Sequence, residues 1–188
     1  MLTTLDCIPC LIRQVIETAR LCTSENDLQA DILKKSLQII AETDLTKSPP
    51  QIASELHRNL KRLSGTNDPY KNIKERFNSL AISMLETLKE TVNSSPEPLL
   101  AAIKLSIAGN VIDCGATAGL SETEIRPVIN RACSEPLAGD IDEFLHAVKQ
   151  AEKILYIADN AGEIVFDRLL IEKLGPDRIT LSVRGFPV

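Results

Sequence analysis

Large aromatic side chains are nearly absent from this sequence, which has no Trp, two Tyr and four Phe among 188 residues. Its core must therefore be built from Leu, Ile, Val and Ala, a composition that favours helices over a β-sandwich. No run of eighteen apolar residues occurs, so the sequence predicts no transmembrane helix. Because the first ten residues lack a basic stretch followed by an apolar one, we also expect no signal peptide.

The sequence also has fewer positively charged than negatively charged residues. The chain has 21 Lys and Arg against 26 Asp and Glu, a net charge of −5, and an acidic chain with few aromatics is a poor nucleic-acid binder. The proportions of hydrophobic (44%) and charged (25%) residues are ordinary for a globular protein and exclude a disordered or collagen-like chain. The five cysteines are an odd number without a signal peptide, which predicts reduced thiols in a cytoplasmic protein.

Apolar residues recur at helical spacing through the first 150 residues. One stripe runs from Ile8 to Ala19, a second comprises Leu33, Leu37 and Ile40, and later stripes continue the pattern. Helix-start and helix-stop signals separate the stripes. They are Ser48 before two prolines, Gly65, Asp68-Pro69, Ser121 with Glu124, and Asp140 with Glu143. The sequence therefore predicts a helical domain over residues 1–150.

The hydrophobic period changes at residue 153. Residues 153–158 form a short apolar run typical of a buried parallel strand, a helical pattern follows the loop 159–163, and residues 178–183 form a second strand. Residues 151–188 are thus predicted to be one βαβ unit, which makes the fold mainly α with the start of an α/β domain. Because two strands are too few for a stable doubly wound sheet, we expect the sequence to be part of a longer protein.

The sharpest chemical signal is the segment Asp159-Asn160-Ala161-Gly162-Glu163, directly after the first strand. Ligands of open α/β sheets bind at the carboxyl ends of strands, and oxygen donors of this kind suit hard divalent cations. The helix that follows would present unpaired N–H groups to a phosphate, and Gly162 would allow close approach of the backbone. The alternative is that Asp159 and Asn160 only cap that helix.

A second polar cluster is Gly109-Asn110-Val111-Ile112-Asp113. Asn110 and Asp113 share a helix face in an otherwise apolar segment, so something polar has to meet them if they are buried. We expect them to face Asp159 across a cleft between the domains. The alternative is an exposed helix end.

Two further features are weaker. Cys7-Ile8-Pro9-Cys10 has the spacing of half a zinc site or of a redox pair, but partner ligands at suitable spacing are missing, which favours two thiols at a helix start. Arg184 follows the second strand and is well placed to pair with a phosphate.

Together these residues resemble the DUF89 family, the damage-control phosphatase (ARMT1-like) family, and its compact microbial members in particular. Five segments carry the resemblance, in the family's order. They are Cys7-x-x-Cys10, Asp68-Pro69-Tyr70-Lys71, Gly109-Asn110-x-Ile112-Asp113, Asp159-Asn160-Ala161-Gly162-Glu163 and Val183-Arg184-Gly185-x-Pro187.

The resemblance implies a helical domain followed by a Rossmann-like domain with a metal-dependent phosphatase site between them. Asp159 and Asn160 match metal ligands, and Asp159 is the expected catalytic residue; the third ligand, an aspartate, is expected beyond Val188. Other residues match positions that line the family's pocket: Asn110, Asp113, Gly162, Glu163 and Arg184. The implied cofactor is Mg²⁺, Mn²⁺, Co²⁺ or Ni²⁺, and the implied substrates are small phosphorylated metabolites such as sugar phosphates and phosphopantetheine-type compounds.

Two other functions compete with a phosphatase. A Rossmann-type nucleotide-binding module that uses Cys7 and Cys10 for redox chemistry is one alternative, disfavoured because no G-x-G-x-x-G follows the first strand. A helical interaction module with a vestigial site is the other alternative.

Overall fold

The computed structural model describes residues 2–111 and 122–185 of the chain. Within these ranges lie eight α-helices, one short 3-10 helix and a parallel sheet of two strands. They form two compact units, one made of the described residues up to Lys71 and one that runs from Asn72 to Gly185. Each unit has its own hydrophobic core. The predicted mainly helical fold with a βαβ unit is confirmed.

The first unit contains three helices, α1 (Cys7–Cys22), α2 (Asn26–Glu42) and α3 (Pro49–Ser64). Its core consists of one buried stripe from each helix. The buried apolar residues are Leu11, Val15, Ala19, Ile32, Ile52, Leu56 and Leu60. The predicted ends of α3 are confirmed: the Ser48 backbone N–H donates to Gln51 Oε1 (2.8 Å), and Gly65 ends the helix in the left-handed region at φ +70°.

The predicted core stripe of α2 is confirmed at Leu33 and Ile40, which pack against the core of the first unit, but not at Leu37. Ile32 and Ser36 are the buried residues of this helix, whereas Leu37 is 41% exposed. Ile32 and Ser36 are four residues apart and share a face, so the helix turns that face inward even though one of its members is polar. A prediction based only on the spacing of apolar residues could not identify Ser36 as buried.

The second unit begins with the longest helix, α4 (Lys71–Ser94), followed by α5 (Pro98–Val111), α6 (Glu122–Ser134) and α7 (Ile141–Gln150). The predicted stripe of α4 is buried at Phe77, Met84, Leu88 and Val92. Asp140 caps α7 by accepting a hydrogen bond from the Glu143 backbone N–H (2.9 Å), as expected from the sequence. Ser121, from the other predicted capping box, lies outside the described residues.

The βαβ unit follows as β1 (Ile154–Ile157), α8 (Glu163–Leu174), the 3-10 helix Pro176–Arg178 and β2 (Ile179–Ser182). The strands pair in parallel, with Tyr156 opposite Leu181. The Arg178 guanidinium joins the neighbouring elements, because it donates to the carbonyls of Leu174 (2.6 Å), Val148 (2.9 Å) and Ala151 (2.7 Å). In the described residues, every regular element before residue 150 is a helix.

The two strands are buried on one face only, so the expectation of fully buried strands is wrong for the described residues. Tyr156 and Ile179 pack against the core of the unit and Ile154 is half-buried, while Leu155 and Ile157 are 63% and 74% exposed. Successive side chains of a strand point to opposite faces, and the described helices cover the face that carries Tyr156. The predicted domain boundary at residue 150 and the Rossmann-like character of the second domain stay predictions.

Helix α5 packs closely on α8. A Cβ added at Gly109 would lie 2.8 Å from Phe166 Cβ, far inside normal contact distance. Gly109 therefore lets α5 approach the first turns of α8, which brings the last turn of α5 beside the start of that helix.

None of the helices among the described residues combines the length and the apolar character needed to cross a lipid bilayer.

Candidate functional site

The loop that joins β1 to α8 is held in place by helix α4. Gly162 has φ +83°, which favours glycine, and a Cβ there would lie 3.2 Å from Phe77 Cβ. The Gly162 backbone N–H donates to Asn78 Oδ1 at 2.7 Å, across 84 residues of sequence. Asn78 is thus a supporting residue that sequence reasoning missed, because only the fold brings α4 to this loop.

Three oxygen-bearing side chains of the loop lie together, as the sequence predicts. Asn160 Nδ2 donates to Glu163 Oε2 (3.1 Å) and to Asp159 Oδ2 (3.4 Å), and the Asn160 backbone N–H also donates to Glu163 Oε2 (3.3 Å). Within the described structure, Asn160 Oδ1 accepts no hydrogen bond. The amide is therefore oriented with its nitrogen toward the carboxylates and its oxygen left for another partner.

Arg184 joins the same cluster through an ion pair of its Nη2 with Asp159 Oδ1. The two side chains are 56% and 50% exposed, so solvent screens the pair and it contributes little to stability. The structure thus brings together Asp159, Asn160, Glu163 and Arg184, four of the residues selected from the sequence.

The alternative in which Asp159 and Asn160 only cap α8 is not supported. Gly162 occupies the N-cap position, and no side chain accepts a hydrogen bond there. In the part of the chain that the structure describes, neither Asp159 nor Asn160 receives a side-chain bond from a backbone N–H of α8. Their side chains interact with each other, with Glu163 and with Arg184 instead.

The start of α8 is partly occupied by protein partners. The Gly162 N–H is bonded to Asn78, and the Ile164 N–H donates to the Asn160 carbonyl at 3.4 Å. A phosphate at Gly162 would therefore have to displace Asn78. What the geometry assigns to Gly162 is a tight turn close to Phe77.

Burial has the largest effect on the pKa of the Glu163 carboxyl. Partial burial raises the pKa of the Glu163 carboxyl, and the negative charges of Asp167 and, more weakly, Asp159 raise it further. The two hydrogen bonds from Asn160 oppose this rise of the pKa. Glu163 thus carries a carboxyl group whose proton affinity is increased by its neighbours.

Behind the loop lies a buried polar network that sequence reasoning missed. Asp167 is 2% exposed and accepts hydrogen bonds from Ser106 Oγ and from the Tyr156 hydroxyl, both at 2.7 Å. Burial is the largest cause of a raised pKa of Tyr156. Two features of the sequence could have indicated this network: Tyr156 stands in an otherwise aliphatic strand, and Asp167 stands within the apolar run of α8.

The second predicted cluster is only partly described. Asn110 is exposed on the last turn of α5, in the same compact unit as Asp159, and no hydrogen bond joins these two residues in the described structure. Asp113 lies outside the described residues. The expectation that both face Asp159 stays a prediction.

The remaining candidates lie elsewhere. Cys7 and Cys10 are free thiols at the start of α1, His57 is buried in the first unit and His146 is exposed on α7. Among the residues that the structure describes, no three His, Cys, Asp or Glu side chains are grouped so as to hold a metal ion.

The donors around Asp159 nevertheless fit a hard divalent cation in chemical type. Asp159 supplies a solvent-accessible carboxylate, and Asn160 supplies an amide oxygen without a hydrogen bond. Such oxygen ligands suit Mg²⁺ or Mn²⁺, which keep several waters when bound to proteins.

Comparison with known proteins assigns the chain to a family. The family model for the damage-control phosphatase ARMT1-like domain matches residues 3–188. The chain belongs to this family. The resemblance inferred from the five sequence segments is thereby confirmed.

Several archaeal proteins are similar to this chain. An uncharacterised protein, MJ0202, of Methanocaldococcus jannaschii is 36% identical over 97% of the chain and 62% of its own length. A protein of Archaeoglobus fulgidus named a damage-control phosphatase is 33% identical over 97% of the chain and 64% of its own length. The chain thus spans less than two thirds of the length of these curated relatives.

A solved structure shares the fold. The crystal structure of a DUF89 family protein, PH1575, from Pyrococcus horikoshii matches with a TM-score of 0.82 at 26% identity. The match covers 97% of this chain and 63% of that one. The same relative is named damage-control phosphatase PH1575.

Proposed function

We propose that this protein is a divalent-metal-dependent phosphatase that hydrolyses phosphate esters of small metabolites. The observation that carries the proposal is the meeting of Asp159, Asn160 and Glu163 after β1, in a chain of the ARMT1-like family. The names of the relatives from Archaeoglobus fulgidus and Pyrococcus horikoshii, both damage-control phosphatases, support this activity.

Asp159 and Asn160 are the proposed metal ligands. Asp159 contributes the negative charge that a hard cation requires, and Glu163 holds the Asn160 amide nitrogen so that the amide oxygen is available. A divalent ion bound there would supply Lewis-acid stabilisation of charge on the phosphoryl oxygens. Mg²⁺, Mn²⁺, Co²⁺ and Ni²⁺ are all candidates.

Arg184 is the proposed phosphate-binding cation. In the structure it pairs with Asp159, and both groups are half exposed. A guanidinium at this position can turn its planar fork toward a phosphate when the charge of Asp159 is otherwise compensated. Glu163, Asn110 and Asp113 complete the proposed pocket, and Gly162 shapes the turn beside it.

The proposed reaction is hydrolysis of a phosphate monoester. A water oxygen forms a bond to phosphorus, the bond between phosphorus and the ester oxygen breaks, and a proton passes to the leaving alcohol oxygen. The products are an alcohol and inorganic phosphate. Attack by the Asp159 carboxylate ahead of water, giving an acyl phosphate that water then cleaves, is the second route compatible with these residues.

The proposed substrates are phosphorylated small molecules such as sugar phosphates and phosphopantetheine-type compounds, including damaged or surplus forms. We also propose a Rossmann-like second domain and a cytoplasmic location. The parallel βαβ unit supports the first and the free thiols, with Cys10 exposed, support the second.

A phosphate-release screen tests the proposed function. The protein is stripped of metal with a chelator and assayed against a panel of phosphate monoesters, with each of the four cations added separately. We expect release of phosphate from at least one monoester that depends on the added cation and ceases with excess chelator. Absence of release from the whole panel would contradict the proposal, and tight dinucleotide binding without metal would favour a nucleotide-binding module.

A further inference from the structure

In the buried polar network behind the loop, two hydroxyl groups donate to one carboxylate and lie within hydrogen-bond distance of each other. Asp167 accepts from Ser106 Oγ and Tyr156 OH at 2.7 Å each, and the two hydroxyls lie 3.1 Å apart. Its members come from three elements, Ser106 from α5, Tyr156 from β1 and Asp167 from α8. We call these three residues the hydroxyl–carboxylate ring.

Packing alone does not explain this ring. Asp167 is 2% exposed, and among the described residues it forms no salt bridge with a Lys, Arg or His. Burying a carboxylate is costly, and two hydrogen bonds offset only part of that cost. Because apolar residues of similar size often serve stability at least as well in such a position, the ring calls for a role other than stability.

The ring spans the functional loop. Tyr156 lies three residues before Asp159, and Asp167 lies four residues after Glu163. Their hydrogen bond therefore ties the strand that enters the loop to the helix that leaves it. Ser106 adds a tie to α5, close to Gly109, where α5 touches Phe166.

We propose that the hydroxyl–carboxylate ring positions the loop that carries Asp159 and Asn160. Asp167 and Tyr156 are positioning residues: they fix the end of β1 against α8 and so hold the two proposed ligands in their relative orientation. This inference rests on the proposed metal site. It concerns residues that lie behind the loop and touch neither proposed ligand.

The test is Mn²⁺ binding, measured by electron paramagnetic resonance on the full protein, together with phosphate release. We expect Tyr156→Phe and Asp167→Asn each to weaken Mn²⁺ binding about tenfold, the size usual for groups that orient metal ligands. Tyr156→Phe keeps the carboxylate of Asp167, so weaker binding in that variant cannot come from a lost charge. The double variant should bind no more weakly than the weaker single variant, because both changes open the same ring.

Thr18→Val is the matched control. Thr18 is fully buried in the first unit, and its hydroxyl bonds to Gln14 O (2.7 Å) and Tyr70 OH (2.5 Å). Its loss should lower the melting temperature as the ring variants do, yet leave the Mn²⁺ dissociation constant within about twofold.

Three results would overturn the inference. They are folded ring variants with parental Mn²⁺ affinity, a loss confined to Asp167→Asn, and a parent protein that binds no Mn²⁺. If the parent binds Mn²⁺ but releases no phosphate, the proposed function fails, while the binding data still decide whether the ring positions the loop.

Discussion

At the scale of single residues, three carboxylates within nine positions are each compensated differently. Asp159 is half exposed and paired with Arg184, Glu163 is partly buried and bonded to Asn160, and Asp167 is buried with two hydroxyl donors. Asp159 is the most accessible of the three carboxylates, and its partner Arg184 is itself exposed and can move away. Asp159 is therefore the group best suited to bind a cation.

Cys7 and Cys10 should be dispensable for turnover. Both are free thiols at the start of α1, in the first compact unit. Among the described residues they belong to no group of three His, Cys, Asp or Glu side chains that could hold a metal ion. We expect the double variant Cys7→Ser/Cys10→Ser to release phosphate at a rate within a few-fold of the parent. A loss of about two orders of magnitude in a protein that remains folded would show that these thiols take part in the reaction.

His57 should make the protein less stable in mild acid. Burial, and secondarily the charge of Lys61, lowers the pKa of His57 below its ordinary value of 6.5, and its buried Nδ1 has no hydrogen-bond partner among the described residues. The unfolded chain therefore binds a proton more readily than the folded one. The contribution to stability is then fully present above about pH 6.5, and it falls as the pH drops toward the lower pKa of His57 in the folded state.

Urea unfolding at about pH 7.5 and about pH 5.5 measures this effect. His57→Phe should reduce the difference in unfolding free energy between the two conditions, whereas His146→Gln, a change at an exposed histidine, should not. An unchanged difference in His57→Phe would mean that other groups cause the acid sensitivity.

At the scale of elements, the contact between α5 and α8 brings the hydroxyl–carboxylate ring and the loop together. Gly109 permits the contact, and Ser106, one turn earlier on α5, bonds to Asp167. The loop is thus supported from α4 through Asn78 and from α5 through Ser106. Helix packing is therefore part of how the site is built.

Gly109→Ala should destabilise the second unit. The new Cβ would lie 2.8 Å from Phe166 Cβ, and since neither atom can rotate away, the helices would have to separate. We expect a net loss of about 1–3 kcal/mol, even though Ala is a better helix former than Gly. Gly185→Ala, where a Cβ meets nothing within 4 Å, is the control and should change the unfolding free energy by less than about 0.5 kcal/mol.

Local signals in the sequence predict most of the elements. Ser48 and Gly65 mark the ends of α3, and Asp140 marks the start of α7, because caps are local interactions between residues a few positions apart. The burial of Ser36 on α2 could not be predicted, because whether a polar residue is buried depends on what surrounds the helix. The exposed face of β1 was missed because an apolar run does not tell whether one or both faces are covered.

At the scale of the whole molecule, some residues of the site come from one short segment of the sequence, and others are brought to it by the fold. Asp159, Asn160 and Glu163 are neighbours in sequence, so their meeting could be predicted. Asn78 is brought in from far along the chain, and a single sequence gives no sign of such a contact.

The most direct test of the account is phosphate release by the Asp159→Ala variant of the full protein. With Mg²⁺ or Mn²⁺ present, we expect the rate to fall by about two orders of magnitude or more while circular dichroism and melting temperature stay close to those of the parent, because the charged metal ligand is gone. Asn160→Ala should lose less, since it removes a neutral donor, and Asp177→Ala, at an exposed aspartate in the 3-10 helix, should lose nothing. A folded Asp159→Ala protein with parental metal-dependent activity would contradict the central claim that this loop is the metal site.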